Sequence, residues 1–99
     1  MSGKFRATGS FYQENRHLLV VHGELVDGVA HIGQYVSAPE NFSARVHDVE
    51  VVRLADGHED LALTFAPASA EQAAAWQRRR FDDELLELAE TPRTAPPTS

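Results

Sequence analysis

The chain has 99 residues, of which 42% are hydrophobic and 24% charged, a composition typical of one globular domain and too apolar for a wholly disordered chain. Its formal net charge of −6 disfavours nucleic acid as the main ligand, because phosphate backbones repel an acidic surface. The absence of cysteine excludes disulfides and thiolate metal sites. No segment has the apolar length of a signal peptide or membrane span, so we expect a cytoplasmic protein with no membrane partner.

The first predicted element is a strand over residues 4–12, which is rich in aromatic and β-favouring residues. Its alternation predicts one apolar face, formed by Phe5, Ala7, Gly9 and Phe11. Residues 13–16 are polar and are predicted to form a turn.

Two apolar-rich runs between Leu18 and Val36 flank the dipeptide Asp27-Gly28. This dipeptide suits a two-residue type I′ turn, because both central positions need a positive φ. We therefore predict a hairpin in which Val26 pairs with Val29. The predicted apolar face consists of Leu19, Val21, Leu25, Ala30, Ile32 and Val36. The opposite, polar face carries His22, Glu24 and His31.

A long strand is predicted over residues 42–54, and its apolar alternation changes phase near His47-Asp48. A β-bulge at that point would restore the alternation. The turn dipeptide Asp56-Gly57 precedes another strand over residues 60–65. The residues of that strand expected to point inward are Leu61, Leu63 and Phe65.

The composition changes after Pro67 towards strong helix formers, and Ser69 is a suitable N-cap. We expect a C-terminal helix at about 69–90, either continuous or broken near Arg80-Phe81. Its predicted apolar stripe is Ala74, Phe81, Leu85 and Leu88. Residues 91–99 contain three prolines and are predicted to be a disordered tail.

These elements predict a mainly β fold, namely a small closed or partly open antiparallel β-barrel with a C-terminal helix. A single domain would span residues 1–90. We favour a helix that folds back on its own barrel, because a small open barrel needs covering. The alternative is a homodimer joined through residues 70–90.

The spacing of Gly23, Gly28, Gly33 and Val36 resembles a hairpin in the second β-barrel domain of translational GTPases, the elongation factor Tu family. The similarity extends over about residues 5–76. Two departures are Gln34, where the family has an acid, and Trp76, where it has a glycine before its last strand. No phosphate-binding loop of the Gly-x-x-x-x-Gly-Lys-Ser/Thr type occurs in this sequence, so we expect no GTPase activity from it.

In such factors the barrel contacts the nucleotide domain, ribosomal RNA or the acceptor end of aminoacyl-tRNA. The resemblance therefore implies a binding role in general terms. We expect a non-catalytic binding or docking module without a cofactor. A protein is the favoured partner, and RNA or the ribosome is the weaker alternative.

The polar hairpin face and a run of arginines are the candidate interaction surface. The polar face resembles a 2-His-1-carboxylate metal set, formed by His22, Glu24 and His31. We favour the simpler interpretation, a solvated face with a Glu24–His31 pair. We therefore assign no metal ligand and no catalytic residue. The alternative is a small metal-dependent or acid–base enzyme using this face; another is a homo-oligomeric structural protein.

The run Arg78, Arg79 and Arg80 offers contacts for phosphates. Acidic residues follow closely, so helical pairs Arg79–Asp83 and Arg80–Glu84 would neutralise much of this charge. The neighbouring aromatic residues, Trp76 and Phe81, are expected to be packing residues rather than stacking platforms.

Overall fold

The computed structural model describes residues 3–38 and 42–90, and within them the chain forms one antiparallel sheet and one short helix. The elements are β1 (Gly3–Gln13), β2 (Leu18–Gly28), β3 (Tyr35–Ala38), β4 (Phe42–Arg45), β5 (Asp48–Arg53), β6 (Glu59–Phe65), α1 (Ala70–Arg78) and β7 (Glu84–Ala89). The seven strands lie in the order β4-β3-β7-β1-β2-β6-β5. The sheet curls into a half-barrel, which confirms the predicted mainly β, partly open barrel with a helix.

Strand β1 confirms the first prediction and forms a long hairpin with β2, whose paired positions run from Gln13–Leu18 to Gly3–Gly28. The register shifts between Ala7 and Gly9. Phe5 and Ala7 are fully buried, as predicted, whereas Phe11 is 42% exposed. The shift accounts for this difference, because one extra residue reverses the face on which the following side chains lie.

The predicted hairpin at Asp27-Gly28 is wrong. Gly28 has the expected positive φ of 75°, but β2 pairs with β1 and β6, while β3 pairs with β4 and β7. Over Leu19 to Gly23, β2 has a neighbour on each side, so β3 has no free edge there to join. Part of the predicted apolar face is consequently exposed, with Ile32 accessible over 62% of its surface.

The predicted long strand over residues 42–54 divides into β4 and β5, which lie at opposite edges of the sheet. The division falls at Val46 and His47, beside the predicted bulge. The backbone of Val46 exchanges hydrogen bonds with the residues before β3: its N–H donates to Gln34 O at 2.8 Å and its carbonyl accepts from Gly33 at 3.0 Å. The next N–H, from His47, donates to Thr64 O at 2.7 Å. Two consecutive residues thus connect the two ends of the curled sheet.

The next turn and strand follow the prediction. Gly57 has a φ of 86° in the connection between β5 and β6, and the N–H of His58 donates to Asp56 Oδ1 at 2.9 Å. Leu63 and Phe65 are fully buried, and Leu61 packs against the core. The Asp56-Gly57 turn and the inward face of β6 are therefore confirmed.

The predicted helix at about 69–90 is correct only at its beginning. Ser69 caps α1, accepting a hydrogen bond from the N–H of Gln72 at 3.1 Å, but the helix ends at Arg78. Residues 79–83 form an irregular connection, and Glu84–Ala89 form β7, a central strand between β3 and β1. In β7 Leu86 and Leu88 are buried, so a period of two replaces the predicted helical stripe.

Pairing on both sides of β7 overrides the helix propensity of its residues. Residues 70–90 therefore do not form the single helix through which the alternative homodimer would be joined. The predicted tail at 91–99 lies outside the described residues.

An aromatic cluster fills the end of the half-barrel beneath α1. The Phe42 ring lies 4.9 Å from Phe81, 5.3 Å from Phe65 and 5.7 Å from Trp76, measured between ring centroids. Trp76 is 6% exposed and Phe81 2%, which confirms both as packing residues. Through Trp76, α1 packs on its own sheet.

We expect Gly23→Ala to lower the free energy of unfolding by about 2–3 kcal/mol, because the strands approach too closely for a side chain. An added Cβ would meet the backbone of the neighbouring strand, 2.9 Å from the carbonyl carbon of Arg6 and 3.1 Å from the Cα of Ala7. Urea unfolding measures the effect. The control is Gly57→Ala, where the space is open and only the positive φ opposes the change, at about 1–2 kcal/mol. Equal effects of the two substitutions would contradict the close approach.

Candidate binding groove

His22 belongs to a polar network that joins β1, β2 and β6. Its Nδ1 lies 2.9 Å from Asp60 Oδ2, and Thr8 Oγ1 lies 3.2 Å from the same carboxylate oxygen. The side chains of His22 and Asp60 are 16% and 13% exposed. The other ring nitrogen, Nε2, lies so close to Gly9 that a Cβ there would be 2.8 Å away. These contacts give His22 a structural role between strands.

The predicted metal set of His22, Glu24 and His31 is not brought together. His31 Nε2 lies 2.8 Å from Glu90 Oε2, so the predicted Glu24–His31 pair is wrong. Glu24 instead lies opposite Arg6 on β1. Within residues 3–38 and 42–90, no three histidine or acidic side chains are arranged to hold a metal ion.

Gln34 organises the loop that contains His31. Its side chain is fully buried, and its Oε1 accepts a hydrogen bond from the N–H of His31 at 2.8 Å. Its Nε2 donates to Val29 O at 3.0 Å and to Glu90 Oε2 at 3.2 Å. The family that the sequence resembles has an acid at this position. The amide of Gln34 instead both donates and accepts hydrogen bonds.

Two hydrogen-bond acceptors flank the imidazole of His31. The carbonyl oxygen of Ile32, 3.1 Å from Nδ1, and the carboxylate of Glu90 raise the pKa of His31 above its usual value. Both acceptors favour the protonated ring, which can donate from both nitrogens. The protonated histidine therefore stabilises the contact between this loop and the end of β7.

A groove of about 580 Å³ runs between β1 and the end of α1 together with the segment that follows it. One wall is formed by residues 8–12 of β1 and the other by residues 76–82. Phe11 is exposed within it, and its ring lies 6.2 Å from that of His22. The groove therefore combines an accessible aromatic ring with the predicted arginine run.

The wall formed by β1 has an open strand edge. Pairing of β1 with β7 ends at Ala7–Glu84, whereas pairing with β2 continues to Gln13–Leu18. Residues 8–13 consequently have no strand partner on the groove side within the described part of the chain. In an antiparallel strand, alternate residues direct their N–H and C=O towards such an edge. Sequence patterns do not reveal this feature, since it depends on where a strand distant in sequence begins.

Arg79 is held within the opposite wall. It forms a two-point contact with Glu84, at 2.8 Å for Nη2–Oε2 and 3.2 Å for Nη1–Oε1. Its guanidinium also lies over Phe81, 4.1 Å from the ring centroid. The predicted helical pairs are wrong, because Glu84 contacts Arg79 rather than Arg80 and Asp83 lies 3.8 Å from Arg6.

Arg78 and Arg80 lie on either side of this anchored residue and are exposed. Over residues 3–38 and 42–90, neither side chain has a hydrogen bond or ion pair. The arginine run thus separates into one structural residue, Arg79, and two that are available to a ligand. Of the predicted interaction surface, only this run lies in the groove; His22 is adjacent to it, whereas Glu24 and His31 are elsewhere.

We expect the stability contributed by protonated His31 to be present below a pH of about 6.5 and to be lost as the pH rises through the raised pKa. The difference in urea midpoint between the native chain and His31→Gln should shrink from about pH 5.5 to about pH 8.5. Glu90→Gln should move the histidine titration, followed by NMR, towards its usual value. A native His31 that titrates at or below that value would contradict the assignment.

Arg79→Lys should lower the free energy of unfolding by about 1–2 kcal/mol, because lysine can neither form the two-point contact with Glu84 nor stack flat on Phe81. Arg80→Lys is the matched control and should stay within about 0.5 kcal/mol of the native chain. Denaturant unfolding of the two variants provides the measurement. Equal stabilities would show that Arg79 does not anchor this wall.

Comparison with known proteins leaves the chain without a family assignment: no family model, no curated protein and no solved structure matches it. The hairpin that carried the resemblance to translational GTPases has a different pairing. None of the helices formed by residues 3–38 and 42–90 has the length and apolar character to cross a membrane.

Proposed function

We propose that the chain is a non-catalytic binding module that docks a protein partner in the groove between β1 and residues 76–82. The observation that carries this proposal is the edge of β1 that no described strand pairs with, beside Arg78 and Arg80, which have no hydrogen bond or ion pair among the described residues. Hydrogen-bonding capacity, positive charge and an exposed aromatic ring meet there. Interfaces between proteins are enriched in aromatic residues and arginine, so this combination suits a docking surface.

The edge of β1 at residues 8–13 is itself a reason to expect a bound partner. An unpaired strand edge is a template for association, and soluble proteins commonly protect theirs with charge, bulges or covering segments. In this chain Gly9 and Ser10 are partly buried, but the residues after α1 form a wall beside the edge without pairing with it. A partner that enters the groove would form hydrogen bonds with the N–H and C=O groups of this edge.

A protein partner agrees better with the charge distribution than RNA does. The whole chain carries a net charge of −6, and Asp82 lines the groove together with Arg78 and Arg80. A nucleic acid would bring a continuous row of phosphates to an acidic molecule that offers only this short basic segment. A folded or extended protein can place a few carboxylates there and keep the rest of its surface neutral.

The other hypotheses have less support. An enzyme that uses the histidine face would need accessible imidazoles acting together, whereas His22 contacts Asp60 and His31 contacts Glu90. A role in translation follows only from the resemblance, and an RNA-containing assembly is therefore one outcome of the experiment below.

Photo-crosslinking tests the proposal. Phe11 is replaced by p-benzoylphenylalanine in the full chain, which is then irradiated in a lysate of its native cells with and without nuclease. We expect a protein adduct that survives nuclease, because this side chain is exposed inside the groove. The control places the same photoreactive residue at Val51, which is 65% exposed on β5 and lies outside the groove.

Three results would contradict a protein partner in the groove. Adducts that disappear with nuclease would indicate RNA. An adduct with the mass of two copies of this chain would indicate homo-oligomerisation. Equal labelling from positions 11 and 51, or none from position 11, would show that the groove is not the docking surface.

A further inference from the structure

We infer that the segment bound in the groove is an extended acidic peptide, which adds to the sheet as a strand alongside residues 8–13 of β1. This inference rests on the proposed function and specifies the partner's chemistry. Strand addition at an exposed edge is a general mode of peptide recognition, in which backbone hydrogen bonds supply affinity and side-chain contacts supply specificity.

The sheet geometry defines where the peptide would lie. Strand β7 occupies the edge of β1 from Gly3 to Ala7, and beyond Ala7 no described residue pairs with the same edge. An added strand would therefore continue the line of β7. Six residues of β1, 8–13, lie between the end of this pairing and the turn to β2, which corresponds to about 20 Å of extended chain.

The charged residues that line the groove indicate which side chains the bound peptide would carry. Arg78 is the last residue of α1, and Arg80 follows two positions later, after the backbone becomes extended at Arg79, where φ is −83° and ψ is 135°. A carboxylate binds a guanidinium through two parallel hydrogen bonds, so acidic residues on the peptide would satisfy both arginines. Because Asp82 also lines the groove, a uniformly acidic peptide is less suitable than one whose acids face the arginines.

The opposite wall is preorganised for this contact. Arg79 is anchored by Glu84 and by Phe81, and its side chain is 15% exposed. Its neighbours in sequence are therefore displayed from a fixed backbone. A wall that needs little ordering on binding costs less conformational entropy and favours affinity.

The outer strand β5 lacks this combination. Strand β5 also lies at an edge of the sheet and exposes Val51, but its Glu50 is engaged by Arg16 and its Arg53 by Glu59. The edge at residues 8–13 instead lies beside Arg78 and Arg80, which have no partner in the described part of the chain. Charge complementarity therefore assigns an acidic peptide to this edge.

Synthetic peptides test the inference. The probe is a fluorescently labelled, capped peptide that alternates Glu with Thr or Val, and binding to the full chain is followed by fluorescence polarisation. We expect it to bind about 5- to 10-fold more tightly than the same peptide with Gln in place of Glu. The double substitution Arg78→Gln and Arg80→Gln should remove this difference. The matched variant Arg53→Gln should leave it unchanged, because Arg53 lies on β5 and outside the groove.

N-methylation of the peptide tests the strand. Methyl groups on the alternate amides that face β1 should abolish binding, whereas methyl groups on the other set should be tolerated. Amide NMR shifts of residues 8–13 should change on binding. Tolerance of both methylated sets, equal affinity for the Glu and Gln peptides, or persistence of the difference in the double variant would overturn the inference.

The two proposals fail separately. If position 11 crosslinks to a protein but the acidic probe does not bind, the docking function stands and the acidic strand is wrong. If the probe binds residues 8–13 but no cellular protein is captured at position 11, the groove accepts acidic strands and the proposed function is wrong.

Discussion

The architecture depends on a short stretch of backbone at Val46 and His47. The strand order places β4 and β5 at opposite edges of the sheet, although they are nearly adjacent in the chain. A flat sheet would hold these edges far apart. Hydrogen bonds from Val46 to the Gly33–Gln34 segment and from His47 to Thr64 keep the sheet curled, so that its inner face encloses one core. Val46 is itself buried at this junction, which excludes water from the connecting hydrogen bonds.

The same curl explains why the groove exists. Phe42, Phe65, Phe81 and Trp76 fill the end of the half-barrel, and α1 lies over them. The chain must then return from α1 to the central position of β7, and Arg79 stabilises this return. Since the returning residues pack on the aromatic cluster, they do not pair with β1. The open edge therefore results from packing that stabilises the fold.

Histidine and arginine residues in this chain are divided between stabilising the structure and facing a ligand. His22 joins three strands through Asp60 and Thr8, and Arg79 joins the helix end to β7. Arg78 and Arg80 make no such contacts among the described residues and face the groove. Exposed charge beside a free edge is the arrangement that distinguishes this surface from the rest of an acidic molecule.

Local patterns in the sequence were sufficient for the elements whose structure is set by their neighbours in the chain. The first strand, the Asp56-Gly57 turn, the inward face of β6 and the Ser69 cap follow from alternation, turn chemistry and capping. The mainly β half-barrel follows from the number and spacing of such elements. The packing roles of Trp76 and Phe81 were also predicted from the sequence.

Only the tertiary structure decided which strands pair and which arginines have no partner among the described residues. Asp27-Gly28 has the chemistry of a hairpin turn, yet strands distant in sequence occupy the edges of β2. Residues 84–89 favour a helix by composition, yet their place between β3 and β1 makes them a strand. Local preferences amount to a fraction of a kcal/mol per residue, and pairing on both sides with burial of alternate side chains exceeds them. The groove depends on the same non-local pairing, and for that reason the sequence revealed its arginines but not its open edge.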